Sequence, residues 1–120
     1  MTFDVEVVLK GRDLATTSAV SVDHGEPASW SDSAVRDVLV AILRAIDRAE
    51  HPDAPADRGV VLQGFSWIVE PSDGQVVIAI EIPMGAAVAG PFAVGVDALT
   101  AQITRVVRNE RQRLAPETIH

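Results

Sequence analysis

Hydrophobic and polar positions alternate cleanly at the start of the chain. In FDVEVVLKG, Phe3, Val5, Val7 and Leu9 share one side, with Asp4, Glu6 and Lys10 on the other. That period of two predicts a half-buried strand. Past the loop GRDLAT, Val20 and Val22 carry the alternation through TSAVSVD. The period then changes. Val35, Val38, Leu39, Ile42, Leu43, Ile46 and Ala49 recur at steps of three and four, which predicts a helix capped by Ser31, Asp32 or Ser33. It gives way to EHPDAPADRG, a polar loop with two prolines.

The second half opens with VVLQGFSWIVE, in which Val61, Phe65, Trp67 and Val69 share a face. PSDG follows as a turn, since Pro71 fixes its own φ and Gly74 tolerates positive values. In QVVIAIEI, Val76, Ile78, Ile80 and Ile82 then point inward. The two runs predict a β-hairpin in which Phe65, Trp67, Ile78 and Ile80 are among the most buried side chains. A final helix presents Phe92, Val96, Leu99, Ile103, Val106 and Val107 on one face and ends among arginines, where cations suit the helix dipole.

Both halves, about 1–58 and 59–120, thus read as strand, turn, strand, glycine-containing connection and helix. At an offset of about sixty residues Gly25 falls on Gly85, and Val20 and Val22 fall on Ile80 and Ile82. The expected fold is α+β in a single domain: two ββα units forming a four-stranded, mainly antiparallel sheet with both helices on one face. The other face would then hold Val8, Val60, Leu62, Ile68, Val77 and Ala79. That face is too apolar to be left to water, so a second chain or a ligand is expected to cover it.

The stretch PMGAAVAGPFAVGV, Pro83 to Val96, carries no charge. Gly85 and Gly90 have the spacing of phosphate-loop glycines, but Pro91 and Phe92 stand where lysine and serine or threonine are required. Proline also removes an amide that an anion would use at a helix start. The expectation is therefore a buried connection with Pro91 in the first helical turn, packed at a subunit contact. Val88, Phe92, Leu62, Ile68 and Val77 are the candidate interface residues.

Net charge is −7, and it is uneven. Residues 1–104 hold six basic and fifteen acidic side chains, whereas Arg105, Arg108, Arg111 and Arg113 crowd the last sixteen residues. An acidic body repels phosphate backbones, so no nucleic-acid partner is expected. No apolar run reaches the ~20 residues of a membrane span, and the N-terminal stretch lacks a secretory pattern. With no cysteine to form disulfides or thiolate sites, the expected location is the cytoplasm.

Candidate chemistry is sparse. DHGE puts Asp23, His24 and Glu26 within four residues, and His51, Asp53 and Asp57 form a second polar group. Turn formation accounts for both, and neither spacing defines a metal site. Ser31-Asp32-Ser33 reads as helix capping, because no nucleophile elbow accompanies it. His24 titrates near neutrality without special tuning, and with Arg105 it makes the candidate polar site. No cofactor is implied and no catalytic residue is identified.

Two readings follow from different classes. One is a small homo-oligomeric binding or accessory module, a dimer or larger, without catalysis and with its ligand or protein partner unspecified. The other is a cofactor-free isomerase or lyase whose site lies between subunits and uses His24 and an arginine. An apolar subunit contact favours the first, and a pocket with convergent polar groups favours the second.

Overall fold

A computed structural model describes residues 1–11, 14–54, 60 and 62–114, apart from the side chains of Arg113 and Leu114. Elements run in the order β1 (Thr2–Leu9), β2 (Thr16–Ser21), α1 (Asp32–Glu50), β3 (Ser66–Ser72), β4 (Gln75–Ile82), β5 (Gly85–Phe92) and α2 (Val96–Leu114). All strand pairs are antiparallel, in the spatial order β2-β1-β5-β4-β3. The α+β class holds. The four-strand count does not, because the second half contributes three strands before its helix and the first contributes two.

The additional strand is the uncharged stretch expected to be a connection. β5 lies at the centre of the sheet, pairing Val5 with Ala89 on one side and Ile78 with Ala89 on the other. Its lack of charge follows from that position. Ala87, Ala89 and Phe92 face the helices and are buried, while Ala86 and Val88 face the other way. Pro91 sits in the strand, and α2 begins only at Val96.

Local chemistry sets the remaining elements. In β1, Phe3, Val5, Val7 and Leu9 are buried and every intervening residue is exposed. β3 and β4 form the expected hairpin, closed by Asp73 and Gly74, which both have positive φ. This is the two-residue turn whose twist matches its strands. Ser31 caps α1, its side chain accepting from the Ala34 amide at 3.1 Å.

Both helices cover the same face. α1 packs on β1, β2 and β5, and α2 packs on β3. Their shared core contains Ile42, Leu39, Ile103 and Leu99 above Val5, Ile78 and Ile80. Two ion pairs, Asp32 with Arg105 and Arg36 with Glu110, advance in step along both helices, so the helices run side by side in the same direction.

Burial within the hairpin departs from expectation. Ile78 and Ile80 are fully buried, but Phe65 and Trp67 are only partly buried against the core. β3 is an edge strand, and one side of Trp67 therefore meets solvent. The tryptophan in the core is Trp30. Its indole N–H donates to the Gly25 carbonyl at 2.9 Å, and its ring meets Phe92 edge to face at 5.3 Å.

Candidate functional site

The helix-free face is built from alternate residues of four strands. Register aligns Glu6, Val88, Ala79 and Ile68 in one row and Val8, Ala86, Glu81 and Ser66 in the next. Val8, Val88 and Ile68 are 45%, 43% and 54% exposed. Such side chains are ordinary when scattered but informative when they form a continuous patch. Val77 and Ala79 are half-buried between them, and Asp4, Glu6, Glu70 and Glu81 are exposed around them.

Of the five interface candidates, three lie on this face: Val88, Ile68 and Val77. The other two are corrected. Phe92 is fully buried under the helices, and Leu62 is buried in the same core. A bulge explains Phe92. Strict alternation along β5 would place it with Val88, but three steps of β5 (Ala89 to Phe92) span two of β4 (Ile78 to Val76), and the additional residue turns Phe92 to the side of Ala87 and Ala89. Leu62 and Val60 belong to no strand. Leu62 joins the core, and Val60 packs against its margin.

His24 and Arg105 are held by different carboxylates. His24 Nε2 lies 2.8 Å from Asp37 Oδ2, in the second turn of α1. Arg105 grips Asp32 with two N–H donors, Nη2 at 2.9 Å and Nε at 3.2 Å. Beside it, the Gln102 side-chain amide donates to the Trp30 carbonyl at 2.6 Å. Arg105 and Gln102 therefore clamp the start of α1 onto α2. The arginines that share a cavity with His24 are instead Arg36, Arg44 and Arg48.

The Arg105 clamp lowers the Asp32 pKa below its ordinary 3.8, chiefly through the hydrogen bond from Arg105, which outweighs the opposing effect of burial. A carboxylate with a depressed folded pKa contributes stability that is full above its unfolded pKa and lost as pH falls through the folded value. Asp32→Asn is expected to lower stability at neutral pH by an amount that vanishes at acid pH, below 3.8. Denaturant titration of both proteins across pH 2–7 checks this on the ordinary carboxylate scale, roughly that range. A difference independent of pH counts against the clamp.

Arg36 Nε donates to Glu110 Oε1 at 2.6 Å, and Glu110 is only 5% exposed. It is the one buried charged residue of the described chain. Arg36→Ala is expected to cost about 1–3 kcal/mol, the usual loss when a buried group forfeits a hydrogen bond. Thermal unfolding measures it directly.

Among the described residues, no three histidine, aspartate or glutamate side chains converge on a metal-sized site. His51 and Asp53 are exposed, with His51 near Glu50, and Asp57 lies outside the described residues. Ser31 is used as a cap. Arg108 and Arg111 are exposed on α2, and the Arg113 side chain is outside the described part. No described helix is long and apolar enough to cross a membrane. Comparison with protein-family models, with curated proteins and with solved structures gives no match to this chain.

Proposed function

We propose that this protein is a small, non-catalytic binding or accessory module that works as a homo-oligomer and associates through the helix-free face of its sheet. The observation that carries this reading is the row Val88, Ala79 and Ile68 beside Val8, half-exposed across four strands. Two such faces packed about 10 Å apart would complete a second core, as in a sandwich of aligned sheets.

The charges constrain the pairing. A two-fold axis along β5 sets Val88 against its own copy and β1 against the partner's β4. Asp4 and Glu6 then face Val77 and Ala79, so no carboxylate meets its own kind. An axis across the strands would stack Glu6 on Glu6. The acidic rims still repel at longer range, so association should tighten as salt screens them.

The decisive measurement is mass in solution. Wild-type protein should sediment as a multiple of the 12.8 kDa chain, more completely at higher salt. Val88→Asp or Ile68→Asp should give the single-chain mass with unchanged far-ultraviolet circular dichroism. Wild-type protein that stays at single-chain mass at the highest attainable concentration overturns the proposal.

A further inference from the structure

β2 is an edge strand, and its hydrogen-bonding groups can be assigned. The Met1 amino group donates to the Val22 carbonyl at 2.8 Å, and the Val22 amide donates to the Met1 carbonyl at 2.9 Å. Met1 and Val22 are thus a mutually bonded pair. Bonded and non-bonded residues alternate in antiparallel ladders. Phe3↔Val20, Val5↔Ser18 and Val7↔Thr16 are accordingly the bonded pairs, and Thr17, Ala19 and Ser21 turn their backbone N–H and C=O groups away from β1. An exposed edge of this kind is a template for one more strand.

A cavity of about 480 Å³ runs along this edge, between β2 and α1. Val20, Val40, Ala41 and Ala45 give it an apolar floor. Arg36, Val40, Arg44 and Arg48 follow one another at four-residue steps along its helical wall. Arg36 is engaged by Glu110 and His24 by Asp37. Arg44 and Arg48 have no carboxylate partner among the described residues, in a chain whose net charge is −7.

The spacings match. Four helical residues advance about 6 Å, and two residues of an extended strand advance about 6.6 Å. A strand added to β2 would bring alternate side chains opposite Arg44 and Arg48, while its backbone met Thr17, Ala19 and Ser21. Guanidinium groups at those positions select carboxylates. We infer that the groove between β2 and α1 binds an extended acidic peptide segment by strand addition, with Arg44 and Arg48 reading carboxylates at alternate positions. This surface is separate from the helix-free face, so neither proposal depends on the other.

The test uses a fluorescein-labelled peptide alternating threonine with glutamate, and a second in which lysine replaces glutamate. Fluorescence anisotropy should show the glutamate peptide binding about tenfold more tightly or better, as charge complementarity across an interface allows. Arg44→Glu with Arg48→Glu should abolish or reverse that preference. Ala19→Pro removes an outward N–H and spares the ladder to β1, a placement that edge strands tolerate. It should weaken the glutamate peptide by up to about tenfold, the scale of one neutral backbone hydrogen bond, with unchanged circular dichroism. Amide exchange at Thr17, Ala19 and Ser21 should slow when the glutamate peptide is bound. Equal affinity for the two peptides overturns the inference. So does a preference that survives the double substitution, or binding that Ala19→Pro leaves intact, which would mean anion binding without an added strand.

Discussion

Truncating Phe92 to alanine is expected to cost about 3–5 kcal/mol of folding stability, the range for a large aromatic lost from a packed core. The ring is fully buried at the end of the central strand. It meets Phe3 at 5.0 Å and Trp30 at 5.3 Å between centroids, both steeply inclined edge to face. Each edge-to-face contact adds about 0.5–1.5 kcal/mol beyond area burial, and one substitution removes both. Trp30 cannot move in to fill the cavity without giving up its hydrogen bond to Gly25. Urea titration gives the magnitude, and a loss under about 1 kcal/mol, ordinary for a surface change, would mean that the cluster is not packed. Phe92→Asp should unfold the chain and not merely separate subunits, in contrast to Val88→Asp on the opposite face.

That contrast shows what the sequence discloses and what it conceals. β1 is legible because its buried and exposed positions differ chemically, Phe3, Val5 and Val7 against Asp4 and Glu6. The hairpin is legible because Asp73-Gly74 suits only a tight turn, and α1 because its apolar stripe follows Ser31. β5 lacks all three signals. Ala86 and Val88 on its open face are as apolar as Ala87 and Ala89 on its covered face, so no period of two appears. Alanine and glycine are also poor strand formers in isolation. Their placement is decided by neighbours, β1 and β4, that only the folded sheet brings together. The same limit hid the groove at β2. Arg36, Arg44 and Arg48 share a ridge that can be read from their spacing, but the strand edge beside them is a matter of tertiary structure. Local pattern likewise could not distinguish Trp30, which precedes α1 and lies in the core, from Trp67 on the edge strand β3.

Gly85→Ala should be the most damaging addition of a single methyl group among the described glycines, costing about 3 kcal/mol, at the upper end of the usual overpacking range. Gly85 opens β5 where three strands converge, paired with Leu9 of β1 and Ile82 of β4. A Cβ at this position would run into the Val8 carbonyl and approach the Leu9 Cα to 2.9 Å. Both obstacles are backbone, so no side-chain rotation can relieve them. β1 and β5 would have to separate at this end, taking with them the Lys10 amide bond to Met84, now 2.8 Å. Hydrogen exchange should therefore quicken first at Lys10, with Ile78 and Ala89 in the middle of the sheet following only on global unfolding. Gly25 provides the control. The sequence aligns it with Gly85, yet a Cβ added there would meet nothing within 4 Å beyond its chain neighbours, and its φ is not positive. Gly25→Ala should stay within about 0.5 kcal/mol of wild type, as surface substitutions do. Comparable losses at the two positions would show that the close approach of β1 and β5 is not what holds position 85 to glycine.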